Sequence, residues 1–121
     1  MKLMHINTRD ISYALYEGRG DPIVDEDGYR TGEREVLYSD PVSIKVNVSA
    51  AGGEAWIAAF GTVENYDRVV VTDDMSCPID ENSVLWIDSD PVSEPYDFRV
   101  YRISRYLNHI AYAVSKVVEH G

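Results

Sequence analysis

Residues 41–50 carry the clearest pattern in this sequence. Four β-branched residues, at positions 42, 44, 46 and 48, alternate with polar residues. Because successive side chains of a β-strand point to opposite faces, this period of two predicts a strand with one apolar side and one solvated side. A domain built on such strands folds by pairing them into a sheet.

Further apolar, β-branched runs recur at intervals of about ten residues. Polar segments rich in Asp, Ser and Pro separate them, and these residues favour turns. The runs predict strands at residues 11–16, 54–60, 68–72, 84–88 and 96–103. Several short strands with this spacing predict an all-β fold, either a small antiparallel β-barrel or a sandwich.

The C-terminal stretch allows two interpretations. Apolar residues at 107, 110, 111, 114, 117 and 118 fit one face of a helix, whereas those at 110, 112, 114 and 118 nearly fit a strand. We favour the strand, because residues 101–118 are rich in Tyr, Ile and Val. Asn108 near the middle suits the turn of a hairpin that would close a small barrel.

An acidic segment, about residues 17–34, follows the first predicted strand. Asp27-Gly28 lies at its centre, and this dipeptide is favoured in hairpin turns because both positions tolerate positive φ. We therefore expect a long flexible loop or hairpin between early strands.

Size and charge limit the functional classes. A chain of 121 residues, 45% of them hydrophobic, predicts one domain over residues 1–121 with one modest core. With 11 Lys and Arg against 21 Asp and Glu, the net charge is −10, which repels phosphate and argues against specific nucleic-acid recognition. No run approaches the roughly 18 apolar residues of a membrane span, and the lone Cys77 indicates a reducing compartment. We expect a protein of the cytosol, with no membrane contact.

The acidic turn at residues 25–28 has part of the composition of a calcium-binding loop. Such a loop places a carboxylate at its first position and a bidentate Glu at its last. When Gly28 is aligned with the glycine of that loop, Ile23 and Arg34 occupy these two positions. Neither can act as the required ligand, so the turn is expected to be solvated.

Two other residue sets have a composition found in catalytic sites. A two-metal nuclease cluster needs several carboxylates that converge on the metal ions. The candidates are Asp73, Asp74, Asp88 and Asp90, and their spacing in the sequence does not require them to converge. The histidines lack a recognisable nucleophile, and the serines lie in no oxyanion-type motif: these are His5, His109, His120, Ser104 and Ser115. We expect no catalytic residue, no metal site, no cofactor and no enzymatic activity.

The aromatic content is larger than a core of this size needs. The chain has two Trp and nine Tyr. These side chains favour interfaces because they bury a large area and keep a polar end. About half can be assigned to the core and rim of a barrel. The interface candidates are Trp56, Phe60 and Tyr66.

Six short blocks are spread over nearly the whole chain. They are ISYALYEG (11–18), VSAAGGEA (48–55), FGT (60–62), NYDR (65–68), CPIDE (77–81) and YDFRVYRI (96–103). Together they resemble the head-closure, or head-tail joining, proteins of long-tailed bacteriophages and prophages.

The resemblance implies a small β-barrel that is monomeric in isolation and assembles into a ring, usually of twelve copies. The ring would lie in the virion neck beneath the portal and adaptor proteins, close the DNA-filled head and receive the tail, after synthesis in the host cytoplasm. A long loop between early strands would project toward the channel, which makes Asp25, Glu26 and Asp27 the channel-loop candidates. Carboxylates facing DNA would repel phosphate and let the duplex pass without binding.

Two alternatives remain open from the sequence. The family often has a Gly-Asp turn before its penultimate core strand, whereas this chain has Glu81-Asn82-Ser83. This departure allows a sister role in the neck, as an adaptor or tail-completion protein. The charge of −10 also allows an acidic inhibitor that mimics DNA and binds a DNA-binding enzyme.

Overall fold

Eight β-strands and one short helix form the part of the chain that the computed structural model describes, which is residues 8–24, 26–52, 54–61 and 65–117. In chain order they are β1 (Thr8–Ala14), β2 (Tyr16–Val24), β3 (Arg30–Tyr38), β4 (Val42–Ala50), α1 (Glu54–Phe60), β5 (Arg68–Thr72), β6 (Val84–Trp86), β7 (Phe98–Arg105) and β8 (Ile110–Lys116). The all-β prediction is confirmed.

Six of the strands close into an antiparallel barrel in the order β1-β4-β5-β8-β7-β6. Strand β1 closes the circle by pairing with β4 on one side, where Ile11 lies opposite Ile44, and with β6 on the other, where Tyr13 lies opposite Leu85. Closure leaves none of these six strands with an unpaired edge, which removes the sites at which sheets aggregate. Of the two predicted architectures, the structure is the barrel.

The barrel interior is filled by alternate residues of its strands. On β4, Val46 is fully buried and Ile44 and Val48 are partly buried against the core, as the period of two predicted. Val42, at the start of the strand, is exposed at the rim. The larger interior side chains are Ile11, Tyr13, Leu85, Phe98, Ile110 and Tyr112.

Strands β5 and β8 are buried on both faces. Their outward residues, Val69 and Val71 on β5 and Ala111 and Ala113 on β8, form a second cluster outside the barrel. Helix α1 and its neighbours cover this cluster, and the small alanine side chains leave room for the close approach. Two-sided burial explains why these strands are almost continuously apolar.

The prediction of a strand at residues 54–60 is wrong, since this segment is α1. Gly52, at φ +111°, lies just after the end of β4 in a conformation that favours glycine. The following EAWIAAF segment contains three alanines, which have the highest helix propensity. Its Trp56 and Phe60, four residues apart, lie on one face of the helix and stack with ring centroids 6.1 Å apart.

The C-terminal stretch forms the predicted hairpin. Strands β7 and β8 pair from Phe98 opposite Lys116 to Arg105 opposite Ile110, and Asn108 lies in the turn between them. A register shift between Val100 and Arg102 places Tyr101 in a bulge. The alternative of a C-terminal helix is wrong for the described residues through 117.

The predicted early excursion is the two-stranded β2–β3 hairpin, which stands outside the barrel. The expected first strand at residues 11–16 is divided at Leu15, and β2 then continues through Gly18 and Pro22 to Val24. Register shifts accommodate both residues. Gly28, at φ +84°, lies in the turn, where positive φ favours glycine. Because β2 ends at Val24 and β3 begins at Arg30, the connection is longer than the two-residue turns in which Asp-Gly is favoured.

The barrel has two distinct ends. Because β1, β5 and β7 run antiparallel to β4, β6 and β8, the β2–β3 hairpin, connection 73–83 and turn 106–109 leave from one end, here called the hairpin rim. Helix α1 and connection 87–97 leave from the other end, the helix rim. At the hairpin rim, Cys77 and Ile79 of connection 73–83 insert into the interior cluster and cover its opening.

Candidate functional site

The base of the β2–β3 hairpin is fixed to the barrel. The backbone N–H of Leu15 donates to Ser39 Oγ at 2.8 Å, and the backbone N–H of Ser39 donates to Leu15 O at 2.8 Å. Tyr38 packs edge-on against Tyr16 of the hairpin and against Tyr96, which precedes β7, with centroid distances of 6.2 and 5.8 Å. Burial and the neighbouring Tyr96 raise the pKa of Tyr38, consistent with a packed base.

Beyond this base, the hairpin exposes large apolar side chains. Val24 is 56% exposed, Tyr29 72%, Val36 49% and Leu37 42%. The hairpin is a sheet of two strands, so each strand has one edge that no other described strand pairs. An exposed apolar group on a hairpin that is marginally stable by itself is typical of a surface that binds a partner.

Two of the three channel-loop candidates lie at the tip of this hairpin. Glu26 and Asp27 are exposed in the turn between β2 and β3, while Asp25 lies outside the described residues. Residues 16–38 contain seven acidic and three basic residues. The hairpin is therefore both apolar and negatively charged.

The hairpin rim carries a second set of carboxylates in connection 73–83. Asp74 Oδ1 accepts the backbone N–H of Ser76 at 3.0 Å, and Asp80 Oδ1 accepts the backbone N–H of Asn82 at 2.9 Å. Hydrogen bonds from Ser76 lower the pKa of Asp74. These carboxylates shape the turns, and their charges remain exposed at the rim together with Asp73 and Glu81.

The outer side of β7 carries the opposite charge. Arg99 Nη2 donates to the Tyr96 hydroxyl at 2.8 Å, and its guanidinium lies 5.5 Å from the centre of that ring. Arg102 lies 5.2 Å from the centre of the Tyr101 ring. We call these four residues the β7 arginine face. Both arginines are exposed.

Asp88 holds the ion pairs found in the described ranges. Arg68 Nη2 lies 2.7 Å from Asp88 Oδ2, and Arg9 Nη2 lies 3.5 Å from Asp88 Oδ1. Partial burial alone would raise the pKa of Asp88, but the hydrogen bond and charge of Arg68, aided by Arg9, outweigh it and lower the pKa. Neither Arg99 nor Arg102 forms an ion pair with a described carboxylate, although Glu81 lines the same surface pocket as Arg99.

Three of the four aspartates considered as a metal cluster have separate local roles. Asp88 binds arginines, Asp74 caps a turn, and Asp90 Oδ1 accepts the backbone N–H of Val92 at 2.9 Å. Within the described residues, no group of three or more His, Cys, Asp and Glu side chains is placed to hold a metal ion.

Two of the histidine and serine candidates, His109 and Ser115, also have local partners. His109 is buried in the β7–β8 turn, stacks on Tyr106 with centroids 4.4 Å apart, and has its Nδ1 2.9 Å from Asn108 Oδ1. Ser115 Oγ donates to Asn65 O at 2.6 Å. His5 and His120 lie outside the described residues.

Two of the three interface candidates lie in the core of the single chain. Phe60 and Tyr66 are each 1% exposed, and their rings pack edge-to-face at 5.7 Å in the cluster outside β5 and β8. They are thus unavailable to a partner, and the interface interpretation is corrected for both. Trp56 remains partly exposed over the same cluster.

The β7 arginine face was missed from the sequence, although the sequence contains a signal for it. Residues 69–98 hold eight acidic residues and no Lys or Arg, whereas residues 99–116 hold four Lys or Arg and no acidic residue. In the fold, the acidic residues lie mainly in the connections at the barrel rims, whereas Arg99 and Arg102 lie on the outer side of β7.

Among the described residues, no helix combines the length and apolar character required to cross a bilayer. Comparisons with protein-family models, curated proteins and solved structures find no match to this chain.

Proposed function

We propose that this protein is a structural subunit of the neck of a long-tailed phage or prophage, in the head-closure or head-tail joining ring, and that it has no catalytic role. The observation that carries the proposal is a closed barrel with an acidic hairpin inserted between its first two strands, β1 and β4. This architecture agrees with what the six sequence blocks imply.

The charge of the hairpin rim supports passage of DNA through such a ring. Exposed carboxylates at the hairpin tip and on connection 73–83 lie at the same end of the barrel. A ring would multiply them around a channel, and the Debye length of about 8 Å at physiological ionic strength keeps the repulsion effective only near the wall. DNA would be held back by the shape of the closed ring and would not adhere to it.

Exposed apolar residues at both rims support contacts with neighbours above and below. Leu107, in the β7–β8 turn, is fully exposed at the hairpin rim, and Val92, in connection 87–97, is 93% exposed at the helix rim. In the proposed neck, these two ends would contact the portal or adaptor on one side and the tail on the other.

The test is complementation of DNA-filled heads that lack this protein. We expect the purified chain to join heads containing portal and adaptor, to retain their DNA and to make them competent for tail attachment, measured by electron microscopy and nuclease protection. Heads that retain DNA and accept tails equally well without the chain would contradict the proposal. Genes for portal, capsid, terminase and tail proteins beside its gene would support it.

A charge reversal separates assembly from DNA passage. The variant with Glu26→Lys and Asp27→Lys should still join heads but should slow DNA release, because lysines at the tip attract phosphate. The control Asp10→Lys, on the barrel wall, makes the same change of charge per residue and should release DNA at the normal rate. Equal DNA release rates for both variants would show that the hairpin tip does not face the channel.

The sister neck roles differ in their neighbours. An adaptor would bind portal directly, whereas a tail-completion protein would bind isolated tails. An acidic DNA mimic would instead bind a DNA-binding enzyme with an affinity that falls steeply with salt. The mimic is less well supported, because Arg99 and Arg102 interrupt the negative surface on the exposed side of β7.

A further inference from the structure

We propose that the β7 arginine face is the docking surface for the acidic β2–β3 hairpin of a second copy of this chain, so that copies join head to tail. The inference deepens the proposed ring, and rests on it, by naming the contact between its subunits.

The β7 arginine face has the composition of the centre of a protein interface. Arg and Tyr are enriched among the residues that carry most of the binding energy in such interfaces. Arg99 and Arg102 lie over tyrosine rings at 5.5 and 5.2 Å, which restricts the guanidinium groups before any partner arrives. Groups held in place beforehand lose less entropy on binding, so this face is prepared for a carboxylate partner.

The hairpin of a second copy has the complementary chemistry. It carries seven acidic and three basic residues, and exposed Val36 and Leu37 add apolar surface beside the charges. Two copies with a net charge of −10 repel each other over most of their surfaces. A contact between copies is favoured where a positive face meets a negative element, and the described structure offers that combination at β7 and the hairpin.

The placement of the two surfaces allows both roles of the hairpin. Arg99 and Arg102 are exposed, and the base of the same chain's hairpin, at Tyr16 and Tyr38, borders Arg99 without covering it. Strands of nine residues extend about 30 Å, which is enough to cross a neighbouring barrel. The stem of the hairpin would lie on the neighbour, while its tip reaches the channel.

The contact is heterologous, because one copy contributes the hairpin and the next contributes β7. Such contacts continue from copy to copy and close into a ring when the rotation permits. A symmetric contact would instead stop at a dimer. The size of the assemblies therefore distinguishes a heterologous contact from a symmetric one.

The experiment uses two variants of the full chain, each defective in one surface. The face variant carries Arg99→Glu and Arg102→Glu, and the hairpin variant replaces residues 19–35 with a short Gly-Ser turn. At high protein concentration and about 0.15 M salt, where a Debye length of about 8 Å screens the long-range repulsion between copies more than the close contact, we expect the wild type to form species larger than a dimer in sedimentation velocity and native mass spectrometry. Each variant alone should associate at least about 30-fold more weakly.

Mixing the two variants should restore one contact only. The intact hairpin of the face variant can bind the intact β7 face of the hairpin variant, so the mixture should give a one-to-one dimer and nothing larger. The control Lys45→Glu, an equal change of charge per residue on exposed β4, should associate like the wild type. Circular dichroism spectra with the strand signal of the barrel would show that each variant is folded.

Several results would overturn the docking proposal: a wild type that stays monomeric under these conditions, variants that associate as strongly as the wild type, or a mixture without dimers. The head assay separates this failure from that of the neck assignment. If the face variant complements heads as well as the wild type does, the proposed contact is wrong and the neck function still stands. If copies join through β7 but never bind heads, the contact stands and the neck function is wrong.

Discussion

The β2–β3 hairpin and connection 73–83 leave the same rim of the barrel but are held in opposite ways. The hairpin has regular strand pairing, yet its Val36 and Leu37 are exposed. The connection has no strand, yet Ile79 is 1% exposed and Cys77 4% exposed within the barrel core. Backbone hydrogen bonds from Cys77 N to Asp74 O and from Ser83 N to Asp80 O close its turns.

The difference shows that regular pairing and local stability are separate properties. A segment is held by the apolar area it buries and by its satisfied backbone groups, both of which must outweigh conformational entropy. By this measure the irregular connection belongs to the barrel, whereas the hairpin depends on its base and on any partner. This contrast suits the proposed roles, with a fixed acidic rim and a hairpin available for docking.

The largest expected effect tests this contrast directly. Ile79→Ala should lower the free energy of unfolding by about 3 kcal/mol, because it leaves a cavity inside the barrel. Leu37→Ala, which removes a similar side chain from the hairpin, should change it by less than about 0.5 kcal/mol. Urea unfolding of the monomer, followed by circular dichroism, measures both. Equal losses in the two variants would show that the hairpin is as firmly packed as the connection.

The regular part of this contrast was predictable from the sequence. The period of two on β4, the strand at residues 68–72 and the Asn108 turn are local patterns, and the structure confirms them. Asp27-Gly28 likewise predicted the β2–β3 hairpin, although the residues in the turn are arranged differently. Local patterns succeed here because each follows from the two-fold alternation of a strand or the φ preference of a turn residue.

The parts that were missed depend on contacts between distant segments. Helix α1 lies where a strand was predicted, because the outward Ala111 and Ala113 of β8 create a surface that a helix can cover. Phe60 and Tyr66 were predicted to lie at an interface, because aromatic content alone cannot distinguish a second core within the chain from a surface that binds a partner. The β7 arginine face depends on tertiary packing of Tyr96 and Tyr101, although the acid-free run at 99–116 could have indicated it.

The predicted strand ends near connection 87–97 were displaced by a single side chain. Asp97 Oδ1 accepts the backbone N–H of Ile87 and Oδ2 accepts that of Asp88, each at 2.9 Å. Strand β6 therefore ends at Trp86, and β7 begins at Phe98 instead of residue 96. Connection 87–97 is thus a second irregular segment held by specific bonds, here at the helix rim.

An intermediate effect is expected from removing that side chain. Asp97→Ala should cost about 2 kcal/mol of unfolding free energy, because two backbone N–H groups lose a charged acceptor. Asp97→Asn keeps one acceptor oxygen and should cost about half as much. Glu17→Ala, at the base of the hairpin, is the control and should stay within about 0.5 kcal/mol. If Asp97→Ala unfolds at the same urea concentration as the control, the hydrogen bonds to Asp97 do not stabilise connection 87–97.

The smallest expected effect concerns pH and the third segment of the hairpin rim, turn 106–109. Burial lowers the pKa of His109 below its unfolded value of 6.5, so the unfolded chain binds a proton more readily than the folded chain. Its contribution to stability should be complete above pH 6.5 and should decline as pH falls from there toward the lower folded pKa.

Subtracting the unfolding free energies of His109→Gln from those of the wild type at each pH removes the shared titration of the carboxyl groups. We expect this difference to fall on acidification through that window, by less than the loss caused by Asp97→Ala. A difference that is flat or rises would mean that the imidazole is solvated, and turn 106–109 would then belong with the exposed hairpin instead of with the buried connection.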